Sequence, residues 1–99
     1  MELADRIRLA AGRIAPFVHR TPAERSISLS EAHGMEVFCK LECVQKTGSF
    51  KVRGAVHKLI TLSKAQRARG VLTASSGNHG AGVAYGGSRL RVPVQVLVP

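Results

Sequence analysis

Two short apolar runs, Val71 to Ala74 and Val94 to Val98, flank a single helix-length segment, and this spacing constrains the fold more than any other feature of the sequence. A strand that returns parallel to its predecessor needs a crossover of a dozen or more residues, usually a helix. Ahead of the first run, Val52, Ala55, Val56, Leu59 and Ile60 recur at helical spacing. From residue 51 the order therefore reads helix, strand, helix, strand, the alternation of an α/β unit with parallel strands. Ser49 or Thr47 is placed to cap the first of these helices. The second is expected from His79 to about Leu90, after a tight loop at Ser75-Ser76-Gly77-Asn78. Gly86 and Gly87 fall inside it and should cost about 1 kcal/mol each relative to alanine, which close packing would justify at one of them.

Upstream, Leu3, Ile7, Ala10, Ala11 and Ile14 predict an amphipathic helix of about three turns, stopped at Pro16. Residues 17–34 are expected to be irregular, with Thr21-Pro22 and Gly34 as turn signals. Met35 to Val44 is dense in β-formers and reads as one strand. After the last strand the chain stops at Pro99, where the α/β pattern needs its next helix. Two parallel strands alone leave edges and faces uncovered, so the sequence is expected to be cut short.

Composition narrows the class. A hydrophobic fraction of 44% and a charged fraction of 21% are those of a folded soluble domain and exclude disorder. No apolar run approaches the ~20 residues of a membrane-spanning helix. The amino terminus lacks a secretory core, and the early acids Glu2 and Asp5 argue against a transit peptide, so a cytoplasmic protein is expected. Cys39 and Cys43 lack the spacing and companions of a disulfide or a zinc site; no metal is expected. The net charge of +9 is lopsided, because all six acids lie in the first 42 residues and none follows Glu42. From Cys43 onward nine cations, Lys46 through Arg91, stand without an acid. Such a segment attracts phosphate, nucleic acid or an acidic partner surface, or is half of a surface whose acidic complement lies on sequence outside these residues, the last being the expectation here.

Two loops carry the chemistry. In Gln45 to Ala55, Lys51 stands at the first turn of its helix, where the dipole opposes a cation and favours the neutral amine that attacks an aldehyde carbon. A solvated surface lysine is the plain alternative. In Thr73 to Gly80, the chain leaves the carboxyl end of a strand and enters a helix, the position at which open α/β sheets bind ligands. Helix-start N–H groups suit a carboxylate or phosphate there, and an ordinary strand-to-helix turn is the alternative.

The run Lys40-Leu41-Glu42, Gln45, Thr47-Gly48-Ser49-Phe50-Lys51 and Arg53-Gly54-Ala55 resembles the lysine loop of the threonine dehydratase and serine racemase family of pyridoxal-phosphate enzymes. The run Thr73 to Gly80 with Gly82-Val83-Ala84 is similar to that family's asparagine loop, and Ile14-Ala15-Pro16 with Arg20-Thr21-Pro22 extends the likeness over nearly the whole chain. The resemblance implies a partial three-layer parallel-sheet fold of the fold-type II class. Residues 1–44 would give a helix and strand of the larger domain, and residues 45–99 the first part of the smaller, cofactor-binding one. It implies that Lys51 binds pyridoxal 5'-phosphate covalently, with Phe50 near its ring and Asn78 on its phenolic oxygen. Ser75, Ser76, Gly77, Asn78 and His79 would hold the substrate carboxylate, and Ser76 is the candidate acid or base on the face opposite Lys51. His79 is expected to be a structural member of its loop rather than a base. Arg53 is expected to anchor its helix rather than to contact a phosphate. Arg91 stands where the family commonly has glycine, at a position suited to a left-handed helix end.

The implied reaction is deamination of a β-hydroxy amino acid, serine or threonine, to a 2-oxo acid, with racemisation as the neighbouring activity. The glycine-rich loop that grips the cofactor phosphate is not among these residues, so no useful turnover is expected from the chain alone. A homo-oligomer or a complementing chain is the expected partner, and no membrane. The competing readings are a small basic protein reusing the scaffold on nucleic acid, and an interaction module that pairs through exposed strand edges. Nucleic acid has little support, because Tyr85 and three phenylalanines offer few stacking surfaces.

Overall fold

The computed structural model describes residues 1–99. Helix α1 (Leu3–Ile14) forms where the apolar spacing predicts it, and the chain then tightens into a single 3-10 turn, Ala15–Phe17, that accommodates Pro16 near its start. Only Ile14 of α1 is buried, and Leu3, Ile7 and Leu9 remain exposed. The apolar stripe is present, but its first two turns overhang the body.

Residues 17–34 are not irregular throughout. Strand β1 (Ala23–Arg25) pairs antiparallel with β2 (Phe38–Lys40), in the register Ala23↔Lys40, Glu24↔Cys39 and Arg25↔Phe38. Helix α2 (Ile27–His33) fills the connection. Ser26 caps it by accepting from Leu29 N at 3.3 Å, and Gly34 ends it in the left-handed conformation at φ 60°. The single strand expected over Met35 to Val44 shrinks to these three residues of β2, followed by a 3-10 turn at Glu42–Val44. Cys39 and Cys43 are both free thiols.

Helix α3 (Lys51–Thr61) carries the expected core face, with Val52, Ala55, Val56 and Leu59 buried. A short helix not expected from the sequence, α4 (Lys64–Arg69), follows it, so the order is helix, helix, strand, helix, strand. A capping box holds α4: Ser63 Oγ accepts from Gln66 N at 3.1 Å and Ser63 N donates to Gln66 Oε1 at 2.8 Å. Strands β3 (Val71–Ala74) and β4 (Val94–Leu97) pair in parallel, Val71↔Val94 through Ala74↔Leu97, and α5 (Asn78–Leu90) makes the crossover. Along both strands half-buried residues alternate with exposed ones. One face turns to α5, and Leu72 and Leu97 lie on the other.

The core is the seam between α3 and α5. Gly86 of α5 is buried there, and Gly87 is buried against β4. A Cβ on Gly86 would lie 2.8 Å from Leu59 Cδ1, and one on Gly87 would overlap Val94 and lie 2.8 Å from the Val92 carbonyl oxygen. Close approach therefore accounts for both, not for one. Ile14 joins Val52 and Val56 in this cluster, with Phe17, Val18, Ile60, Tyr85 and Leu90 against it. Tyr85 donates its hydroxyl to the Phe17 carbonyl at 2.6 Å, tying α5 to the segment after α1. Arg91 ends α5 in the left-handed conformation at φ 55°, as its position implies. The molecule is flat, 51 × 38 × 20 Å, and its radius of gyration of 16.1 Å exceeds the ~13 Å of a compact chain this long.

Candidate active site

Lys51 is the first residue of α3, and Phe50 occupies the cap position without a capping bond. Ser49 Oγ accepts from Lys51 N at a long 3.3 Å and Thr47 Oγ1 is buried without a partner, so neither expected residue caps the helix. Gly48 turns the loop at φ 76°, a conformation that costs glycine little. The Lys51 ammonium stands 5.4 Å from the centroid of the Phe50 ring, which is 62% exposed.

The start of α5 is built differently. Ser75 Oγ accepts from Gly77 N at 3.2 Å and from Gly80 N at 2.9 Å, and so satisfies two N–H groups around the cap residue Gly77. The N–H groups of Ser76, Asn78 and His79 make no hydrogen bond within the chain, and neither do the Ser76 hydroxyl and the Asn78 amide. Donors left free at a helix start form an anion-binding cradle. Gly82 brings this turn against α3, since a Cβ there would lie 3.2 Å from both the Lys51 carbonyl carbon and Val52 N. The first turns of α3 and α5 thus approach each other closely.

A cavity of about 400 Å³ opens between α3, β3 and the start of α5, and Phe50, Lys51, Thr73, His79 and Val83 are among its lining residues. Of the site residues predicted from sequence, it brings together Phe50, Lys51 and His79. Ser75, Ser76, Gly77 and Asn78 lie in the adjoining turn but do not line it.

Behind the lysine loop lies a polar cluster that sequence reasoning did not assemble. Arg53 grips Glu42 with two arms, Nη2 to Oε1 at 2.7 Å and Nε to Oε2 at 2.9 Å. Thr21 Oγ1 donates to Glu42 Oε1 at 2.6 Å, and Gln45 Nε2 to Oε2 at 3.3 Å. The bonds from Arg53 hold the Glu42 carboxyl down to about 2, against burial that pushes it up, and the Thr21 and Gln45 donors add to the lowering. The same pair pushes the Arg53 guanidinium up. Gln45, 5% exposed, accepts from His19 N at 2.8 Å and donates to His19 O at 2.9 Å, so its amide replaces a strand partner. Arg53 anchors its helix, as expected. The available signal was Glu42 itself, the last acid before an acid-free stretch, whose ionic partners downstream can only be cations.

A family model described as pyridoxal-phosphate dependent enzyme matches residues 14–99. The chain belongs to this family. Pyridoxal phosphate is the family's cofactor. Serine racemase of Oryza sativa subsp. indica is 43% identical over 93 residues, 94% of this chain and 27% of its own length. L-threonine ammonia-lyase of Thermotoga maritima is 44% identical, again over 94% of this chain and 23% of its own length. The solved structure of maize serine racemase superposes with a TM-score of 0.87 at 45% identity, covering 96% of this chain and 30% of that one. The mixed α/β fold is that of these enzymes, and the chain spans less than a third of the relatives it matches.

The residues present fit the family's cofactor. An amine borders the cavity for the aldehyde, Phe50 and Val83 give apolar walls for a planar ring, and three free N–H groups adjoin it for an anion. The volume falls within the roughly 300–1,000 Å³ of small-molecule sites.

Proposed function

We propose that this chain is the lysine-bearing part of an ammonia-lyase that converts serine or threonine to a 2-oxo acid. The observation that supports the reading is the cavity that Lys51 and His79 both line, at the place where Gly82 lets α5 approach the start of α3. Pyridoxal phosphate, when bound, supplies an electron sink for the charge left as an α-proton departs. Lys51 binds it through Nζ and takes up or returns the proton at that atom. The N–H groups of Ser76, Asn78 and His79 bind the substrate carboxylate and fix which Cα bond stands ready to break. The Asn78 amide orients the ring, and the Ser76 hydroxyl holds a proton on the other face. Loss of the α-proton, departure of the β-hydroxyl as water, and hydrolysis then release the 2-oxo acid and ammonia.

Racemisation is the second reading, because relatives at 43% and 44% identity are serine racemase and L-threonine ammonia-lyase respectively. Return of a proton from Ser76 instead of loss of the hydroxyl gives the D-amino acid from the same residues. In the 99-residue chain, Phe50, Lys51 and residues 76–79 are all exposed to water, so the chain by itself is expected to give no turnover. Residues 1–99 should be tested in place of the matching segment of the Thermotoga maritima ammonia-lyase. The chimera is expected to release 2-oxo acid and ammonia from threonine or serine, and Lys51→Ala to abolish this. D-serine without 2-oxo acid selects the racemase reading. A folded, cofactor-loaded chimera that forms neither product refutes both.

A further inference from the structure

The lysine loop is closed at its base by one ion pair. Glu42 lies at its entrance and Arg53 at its exit, and the two-armed contact between them joins the ends of the segment that presents Lys51. The helix start offers little other hydrogen bonding to hold that residue, since Ser49 Oγ approaches Lys51 N only at 3.3 Å and Phe50 gives no cap. Thr21 and Gln45 anchor the same carboxylate, and Gln45 fastens the loop to the backbone of His19. A guanidinium fork on a carboxylate fixes direction as well as distance, which a single-point contact does not.

We infer that Glu42 is a positioning residue for the reaction, acting through Arg53 to fix where the first turn of α3 presents the Lys51 amine. This inference rests on the reading that Lys51 receives the cofactor aldehyde. Glu42 itself does not line the cavity. Its effect passes along two residues of α3, from Arg53 to Lys51. A misplacement of about 1 Å at a reacting group is enough to cost on the order of a hundredfold in rate.

The test uses the full chain with pyridoxal phosphate as probe. A lysine Nζ adds to the aldehyde, water leaves, and borohydride reduces the C=N bond to an amine that peptide mass spectrometry locates. Wild type is expected to label Lys51 faster than Lys40, Lys46, Lys58 and Lys64. Glu42→Gln is expected to cut that preference on the order of tenfold, and to speed amide exchange over residues 50–54. Thr21→Val removes a donor to the same carboxylate but leaves the fork. It should lower the melting temperature while keeping the Lys51 preference. If Glu42→Gln fails to fold, Arg53→Lys, which keeps the cation but loses the fork, is read in its place. Equal labelling preference in the fork variants and Thr21→Val overturns the positioning role. If wild type shows no preference for Lys51, the cofactor reading fails instead, and exchange alone decides: unchanged exchange over 50–54 in Glu42→Gln, or no protection there in wild type, overturns the inference.

Discussion

Residues 1–44 and residues 45–99 are held in order by different forces. The second stretch is a helix seam with glycines at its closest approaches. Six of the seven buried hydrophobic residues lie in it, Ile14 being the exception, so its position depends on steric fit. The first stretch has a two-stranded antiparallel pair, an overhanging helix and little apolar burial. Polar groups, Ile14 and the half-buried Phe17 and Val18 attach it to the second stretch. The charges divide the same way: Asp5–Arg8 and Arg25–Glu36 pair within the first stretch, and only Glu42–Arg53 crosses. The lysine loop sits where the two kinds of order meet. Its far wall is set by packing and its base by an ion pair.

The comparison breaks first if the glycine seam tolerates volume. Gly87→Ala adds a methyl that overlaps Val94 and crowds the carbonyl of Val92, whose N–H donates to the Gly87 carbonyl at 2.9 Å. Alanine gains about 1 kcal/mol in helix propensity. Overpacking of this kind costs about 1–3 kcal/mol, and a clash with backbone falls at the upper end. The net expectation is a loss of about 2 kcal/mol, or on the order of 10 °C in melting temperature for a chain of this size. Thermal or urea denaturation followed by circular dichroism measures it, and an unchanged midpoint would show that α5 is loosely packed against β4.

The ion pair should respond to acid where the seam does not. The Glu42 carboxyl is lowered from 4.5 to about 2 in the folded chain, so its charged form favours folding. That contribution is complete above pH 4.5 and is lost as pH falls through 4.5 toward 2. Because Arg53 is partly exposed and solvent screens the pair, about 2 kcal/mol is expected rather than the full value of the shift. Glu42→Gln should therefore be less stable than wild type at neutral pH, and the two should converge near pH 2. Urea midpoints across that range give the difference directly. A gap that stays constant with pH means the carboxylate's charge does not hold the two stretches together.

How far the sequence could be read follows the same division. Helix α3 was legible from the period of its apolar residues, β3 and β4 from their short apolar runs, and α5 from the helix-length segment between those runs. The first stretch was less so. Helix α2 has seven residues, too few for a period, although Ser26 and Gly34 mark both of its ends. Helix α4 has no buried residue at all, and only the Ser63-to-Gln66 box announces it. The β-formers from Met35 to Val44 suggested one strand, but Glu42 is drawn into the polar cluster and the chain turns there. At the site, Lys51 and the Ser75–His79 turn were readable from local motifs. The pairing of Thr21 and His19 with residues 42–45 joins positions too far apart in sequence for any local pattern to reveal.

The smallest expected effect sharpens the contrast by reversing its sign. Gly12 also lies inside a helix, in the last turn of α1, but a Cβ there would meet nothing within 4 Å. Gly12→Ala therefore gains helix propensity and loses unfolded-state freedom without steric cost, so it should stabilise by about 0.5–1 kcal/mol. The same substitution is expected to destabilise at residue 87 and to stabilise at residue 12. Melting temperatures of the two variants, measured side by side, decide between a packed seam with a loosely attached neighbour and a chain packed evenly throughout. If Gly12→Ala also destabilises, the surface of α1 that stands open here is covered in solution. The first stretch would then owe its order to packing as much as the second does.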